Sequence, residues 1–250
     1  MDKNLVLGID VGGTGIKGAI VDVKKGEFVS DKVKYKTPKE SGPKAVLEVI
    51  KKMLKDLDWE GKYFGCGFPS IIKDGICCSA ANIDKRWIGV DLGELFKREL
   101  GVSAHFSNDA DLAALAEMRF GKGKGVMGKV LLVTLGTGIG SGLFMDQKLI
   151  PNSELGHLHY KKSIVEHYAS NRARENKDLS WEEWGTELNK VLKYMSLILN
   201  PDLFLLGGGV SKKFDNYKEY LTIDTKIIPA KLLNNAGIIG AAMLAYEGGQ

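Results

Sequence analysis

An α/β fold of two related lobes is what this 250-residue chain predicts, on three observations. First, short apolar runs of strand length alternate with segments whose apolar residues recur at helical spacing. Second, Asp10-Val-Gly-Gly-Thr-Gly-Ile-Lys-Gly-Ala-Ile-Val-Asp22 aligns without gaps on Thr134-Leu-Gly-Thr-Gly-Ile-Gly-Ser-Gly-Leu-Phe-Met-Asp146. Gly12 falls on Gly136, Gly18 on Gly142 and Asp22 on Asp146, an offset of 124 residues (136 − 12). That spacing is far beyond the roughly 20–50 residues of solenoid repeats, so it marks two lobes and not a stack. Third, the 31 glycines are gathered into turns after apolar runs, at about 12% of the chain against a usual ~7%. Two lobes that each open with strand, glycine turn and strand predict a cleft between those turns.

The elements follow in order. Leu5–Ile9 reads as a buried strand and Lys17–Val23 as its hairpin partner across the first glycine turn. Val46, Val49, Ile50, Met53, Leu54 and Leu57 share a helical face over 44–57, with Pro43 suited to the first turn. Phe64–Phe68 is a strand ending at Pro69, and Ser107-Asn108-Asp109 is a strand–loop–helix junction. Val130–Leu135 and Gly142–Met145 repeat the opening hairpin. Trp184, Leu188, Val191, Leu192, Met195, Ile198 and Leu199 line one face of a helix that Pro201 ends. Leu203–Leu206 is a strand before Gly207-Gly208-Gly209. Ile238–Tyr246, apolar all round, is a helix that packs inside. The expected lobes are 1–108, completed by the C-terminal helix over 238–250, and 109–237.

Composition excludes several classes. Lys plus Arg exceed Asp plus Glu by 35 to 31, a net charge of +4 that suits an anionic substrate but forms no clustered patch for nucleic acid. No apolar run approaches the roughly 18 residues of a membrane span, and the N-terminal run is too short for a signal peptide. Three cysteines, Cys66, Cys77 and Cys78, are too few and odd for a disulfide framework. They read as small buried hydrophobes in a protein of the reducing cytoplasm.

Glycine turns after strands present consecutive backbone N–H groups, which hold phosphate oxygens without a side chain. Three are present: Gly12-Gly13-Thr14, Gly136-Thr137-Gly138 and Gly207-Gly208-Gly209. The Walker A pattern is absent, and both repeat turns lead into strands where a dinucleotide fingerprint would lead into a helix. Asp10 ends the first strand beside the first turn, where a carboxylate holds Mg²⁺ directly or through water. Lys17 is either a phosphate contact or an exposed strand lysine.

Leu7-Gly-Ile-Asp-Val-Gly-Gly-Thr14, Asn108-Asp109-Ala110, Gly136-Thr-Gly-Ile-Gly140 and Glu154-Leu-Gly-His157 together resemble the ROK sugar kinases over nearly the full length. Gly67-Phe-Pro-Ser70, Ala80-Ala-Asn82-Ile-Asp84, Asn200-Pro-Asp-Leu-Phe204, Gly207-Gly-Gly-Val-Ser-Lys212 and Leu233-Asn-Asn-Ala-Gly237 resemble the polyphosphate glucokinase branch. The resemblance implies the actin/hexokinase-like (ribonuclease H-like) fold and transfer of a phosphoryl group to the 6-hydroxyl of glucose or a similar hexose. It makes Asp109 the base that accepts the hydroxyl proton and aims the oxygen; the plain alternative is that Asn108 or Asp109 caps the following helix. It places Asn82, Asn108, Asp109, Glu154, His157 and Glu166 at sugar-contacting positions. The donor contacts it implies are Gly12, Gly13, Thr14, Lys17, Gly136, Thr137, Gly138, Gly208 and Gly209. ROK proteins commonly carry a cysteine-rich zinc segment between the sugar-binding His and Glu; Leu158–Val165 has no cysteine, so no zinc is expected.

The glycine turns serve either donor. Polyphosphate asks for a track of positive charge, for which Arg172, Arg174, Lys212, Lys213 and Lys231 are candidates, the plain alternative being scattered surface charges; the other enzyme reading is an ATP-dependent hexokinase of the same family acting on glucose, mannose or a related sugar. ROK repressors carry an N-terminal helix-turn-helix, for which a first strand beginning by Leu5 leaves no room. The family resemblance also implies a homodimer.

Overall fold

The computed structural model describes residues 2–81 and 83–249, and groups them into two units. The first runs through Ala116 and resumes at Asn235; the second is Glu117–Asn234.

In the first unit, β1 (Leu5–Val11) and β2 (Gly15–Asp22) form the antiparallel hairpin, extended by β3 (Glu27–Phe28) and β4 (Val33–Lys36), both on β2. After α1 (Pro43–Asp56), β5 (Tyr63–Phe68) joins β1 in parallel. A small hairpin, β6 (Ile72–Lys73) and β7 (Ile76–Cys77), then α2 (Leu92–Leu100) lead to β8 (Ser103–Asn108), parallel to β5. The helix α3 (Asp109–Phe120) starts on the next residue, so the expected loop at that junction is absent. Apolar spacing sets α1: Val46, Leu47, Ile50 and Met53 are buried, and Pro43 begins it where no intrahelical N–H bond is lost.

The second unit repeats the plan. The hairpin of β9 (Lys129–Leu135) and β10 (Ile139–Met145) carries β11 (Lys148–Ile150) on its outer edge. Two-residue strands β12 (His159–Tyr160) and β13 (Ser163–Ile164) precede α4 (Glu166–Ala169), α5 (Asn171–Asn176) and α6 (Trp181–Leu199). Parallel strands β14 (Leu203–Gly207) and β15 (Lys226–Pro229) complete the sheet. A Ser180–Glu183 capping box starts α6, and Trp184, Leu188, Val191, Leu192 and Met195 form its buried face. Trp184 donates through Nε1 to Ala169 O at 3.1 Å, tying α4 to that core.

The two hairpins are not equivalent residue for residue. Val11 pairs with Ile16 across four turn residues, whereas Leu135 pairs with Ile139 across three. The gapless repeat therefore holds on the first arm and slips by one on the second. Gly18 faces Ile9, and the residue facing the equivalent Val133 is Ser141, not Gly142. A one-residue slip turns every side chain to the other face, which sequence identity cannot reveal.

The last helix, α7 (Ala236–Gly248), belongs to the first unit and is longer at both ends than its apolar run. It rests directly on the sheet. A Cβ at Gly8 would lie 2.0 Å from Ile238 O, and one at Gly65 1.7 Å from Ala241 O. Only glycine lets backbone meet backbone here, and the small residues of α7 complete the contact. Of the cysteines, Cys66 and Cys77 are buried, but Cys78 is exposed, correcting the expectation for that residue. Neighbours on an extended chain face opposite ways, so burying Cys77 turns Cys78 outward.

Candidate active site

In the first unit, the C-terminal ends of three parallel strands lie side by side. Asp10 pairs with Gly67, and Gly67 with Ser107, one residue before Asn108. A Cβ at Gly67 would stand 3.7 Å from both Asp10 Oδ1 and the Asp109 Cα, so this glycine separates the two carboxylate-bearing residues. Asp10 also faces Gly237 in the first turn of α7, a favourable end for a carboxylate, and lies 3.5 Å from Lys17 Nζ. Burial pushes the Asp10 carboxyl above its ordinary range, and the Lys17 ammonium partly offsets this.

Asn108 is buried, and its Oδ1 accepts from Ala110 N at 2.8 Å and Asp111 N at 3.3 Å. It therefore caps α3, while its Nδ2 donates to Ser70 O at 3.3 Å. This anchoring sets where Asp109 stands: first in the helix, partly exposed, with Oδ1 2.9 Å from Ala110 N. Ser70 received no role in the sequence reading, although it lies in a motif singled out there. Its hydroxyl donates to Ser79 O at 2.6 Å and so braces the β6–β7 hairpin. Asn82 lies outside the described residues.

The first glycine turn is closed by Gly12 N donating to Gly15 O at 3.0 Å, and Gly13 and Thr14 are exposed. Thr37, also missed, donates its hydroxyl to Gly12 O at 2.6 Å and so ties the turn to the segment after β4.

In the second unit, the glycines divide by cause. Gly208 has φ +80° and packs on Leu135, where a Cβ would come 2.4 Å from its carbonyl oxygen, so the fold itself demands it. At Gly136 and Gly209 nothing lies within 4 Å of a would-be Cβ, and neither has positive φ. Among the described residues no packing requires glycine at those two positions, which is the condition for a ligand to approach the backbone.

Glu154, His157 and Glu166 come together beside the second turn. Glu154 Oε2 lies 3.4 Å from His157 Nδ1. Between them Gly156 packs on Ile139, where a Cβ would lie 2.0 Å from the carbonyl oxygen. Glu166 Oε2 accepts from Ile139 N at 3.2 Å and fills the place of a Gly138 side chain. Ile139, whose backbone meets both Gly156 and Glu166, lies in a motif that the sequence singles out but has no role of its own there, and the return strand expected from Gly142 begins with it.

The proposed cationic track is uneven. Arg174 is taken up locally, over the Trp181 ring at 4.2 Å and 3.3 Å from Asn171 Oδ1. Arg172 donates its backbone N–H to Gly136 O at 3.1 Å, which places it at the turn. Lys212, Lys213 and Lys231 are exposed. Among the described residues no cluster of three or more His, Cys, Asp or Glu side chains is arranged to hold a metal ion. A single carboxylate such as Asp10, beside the first glycine turn, is compatible with Mg²⁺, which keeps several waters and binds through one or two carboxylates plus substrate phosphates. No helix among the described residues is long and apolar enough to cross a membrane.

Two sheets that each open with a hairpin and continue with parallel strands, joined to glycine turns, define an α/β protein of the actin/hexokinase-like fold. The ROK family model matches residues 6–177, and the chain belongs to that family. It is 41% identical over 237 residues to the polyphosphate glucokinase of Mycobacterium tuberculosis, covering 94% of this chain and 89% of that one. The inorganic polyphosphate/ATP-glucomannokinase of Arthrobacter sp. strain KM superposes with TM-score 0.92 at 44% identity, covering 97% and 99% of the two chains. A ROK glucokinase of Streptomyces griseus, solved with glucose and AMPPNP, gives TM-score 0.84 at 25% identity, covering 98% and 100%.

Proposed function

We propose that this protein is a glucokinase that transfers the terminal phosphoryl group of polyphosphate, and also of ATP, to the 6-hydroxyl of glucose. One observation carries the reading: Asp10 and the first glycine turn at the end of β1, and Asp109 directly after β8, flank Gly67 of the intervening β5, whose would-be Cβ stands 3.7 Å from both Asp10 Oδ1 and the Asp109 Cα. Similarity to a polyphosphate glucokinase and a polyphosphate/ATP-glucomannokinase supports the donor and the sugar.

Asp109 accepts the proton of the 6-hydroxyl and aims its oxygen. That oxygen bonds to the terminal phosphorus, the bridging P–O bond breaks, and its electron pair leaves on the shortened polyphosphate or on ADP. In a loose transition state the proton departs late, so orientation outweighs basicity and a carboxylate of ordinary strength suffices. Asn108 holds the start of α3 and so sets the aim. Asn82, Asn108, Glu154, His157 and Glu166 supply hydrogen bonds to the sugar hydroxyls. Backbone N–H groups at Gly13, Thr14, Thr137, Gly138 and Gly209, with Lys17, hold donor phosphates; Gly12 and Gly136, whose own N–H groups close their turns on Gly15 O and Gly138 O, and Gly208 serve by shaping the turns. Asp10 would hold Mg²⁺, which would supply charge neutralisation at the donor phosphates. The protein works as a homodimer in the cytoplasm, where glucose 6-phosphate enters sugar breakdown; unpaired cysteines suit that setting.

The test is a donor panel at fixed glucose with purified protein, following glucose 6-phosphate. Polyphosphate is expected to support turnover, with ATP as a second donor. Turnover with ATP alone would favour the ATP-dependent hexokinase reading, and turnover with neither would overturn both.

A further inference from the structure

Glu166 carries more than a sugar contact. Its Oε2 accepts from Ile139 N at 3.2 Å, the first residue after the Gly136–Gly138 turn. A Cβ on Gly138 would fall 2.3 Å from that same oxygen. From the other end of the same short segment, Arg172 N donates to Gly136 O at 3.1 Å. The residues from Glu166 to Arg172 thus grip the turn on both sides, and Glu166 stands on a helix anchored to the core through Trp184. The turn closes on itself through Gly136 N donating to Gly138 O at 3.0 Å, and one Glu166 carboxylate oxygen braces its exit.

The geometry points to Glu166 as the positioning residue that couples sugar to phosphate: one carboxylate oxygen holds the donor turn while the other receives a glucose hydroxyl. This rests on the kinase reading above. Glucose bound at Glu166 restricts the carboxylate's rotation and hence the turn, so the donor meets an ordered set of N–H groups. Donor and sugar then bind with positive coupling, and by linkage each strengthens the other by the same factor. A carboxylate that served the sugar alone would show no effect on donor binding when the sugar is absent.

The experiment is isothermal titration of the full chain with tripolyphosphate and Mg²⁺, with and without glucose, for wild type, Glu166→Ala, Glu166→Gln and Gly138→Ala. In wild type, glucose tightens tripolyphosphate by about fivefold or more, the lower end of ordinary coupling factors. Glu166→Gln keeps an acceptor for Ile139 N, so its sugar-free donor affinity stays near wild type while the glucose effect falls. Glu166→Ala and Gly138→Ala attack the contact from opposite sides. Both weaken sugar-free tripolyphosphate binding, by about fivefold or more on the same scale, and bring the glucose effect close to one. Gly138→Ala and Glu166→Gln carry the test if Glu166→Ala does not fold. Sugar-free donor affinity within twofold of wild type in Gly138→Ala, or an undiminished glucose effect in Glu166→Gln, would overturn the coupling. Failure of wild type to bind either ligand would instead overturn the kinase reading beneath it.

Discussion

Lys17 Nζ lies 3.5 Å from Asp10 Oδ2, and the two residues face each other in register across the first hairpin. Their side chains are 29% and 17% exposed, so the pair is partly screened and worth at most about 1 kcal/mol to stability. Its value lies in charge placement: an ammonium is held beside the carboxylate and the glycine turn. Lys17→Met is expected to lower the melting temperature little and to raise the donor KM about tenfold, the loss of one hydrogen bond to a charged group. Steady-state kinetics with polyphosphate varied at saturating glucose, alongside thermal melts, check both halves.

Gly136 and Gly208 should behave oppositely. An alanine methyl at 136 meets nothing within 4 Å, so Gly136→Ala is expected to keep stability within about 0.5 kcal/mol while impairing donor binding. Gly208→Ala forces φ +80° on a residue with a Cβ and drives it into Leu135. It costs at least about 1–2 kcal/mol from the backbone alone. Urea unfolding and donor KM, measured on both variants, separate the ligand-facing glycine from the architectural one.

Gly65→Ala would place a methyl 1.7 Å from Ala241 O, a backbone atom of a fully packed helix. Either α7 lifts off the sheet or the strand shifts, and a loss above about 4 kcal/mol is expected, enough to threaten folding. A soluble variant with near-normal melting would show that α7 does not seat on β5 as described.

His105 is packed edge-on to Tyr63 at 5.9 Å, and burial lowers its pKa. The folded state then binds fewer protons than the unfolded chain as pH falls through the ordinary histidine range, so acidification destabilises the fold. Melting temperature should fall between pH 7.5 and pH 5, and His105→Phe should reduce that fall. An unchanged pH dependence in the variant would assign the effect elsewhere.

How far the sequence could be read depended on the range of each contact. The two opening hairpins were legible because buried apolar runs and a glycine turn are local signals, and the burial of α7 was legible because its residues are apolar all round. The slip between the hairpins was not, since one turn residue more or less changes pairing without changing the motif. The Asn108 cap was foreseen as a possibility, but its anchor on Ser70 links residues far apart in the chain. Ile139 was invisible as a pivot because its backbone, not its side chain, meets Glu166 and Gly156. The sequence is compatible with Lys17 as a phosphate contact or as an exposed lysine; the structure adds a third part, partner of Asp10.

The most direct test of the account is the kinetics of Asp109→Asn. The substitution preserves size and can still align a hydroxyl, but it cannot take the proton. With polyphosphate as donor, kcat should fall by about 10²–10⁴-fold while the glucose KM stays within a few-fold of wild type. A kcat within tenfold of wild type would contradict the assignment of Asp109 as base, and with it the central claim.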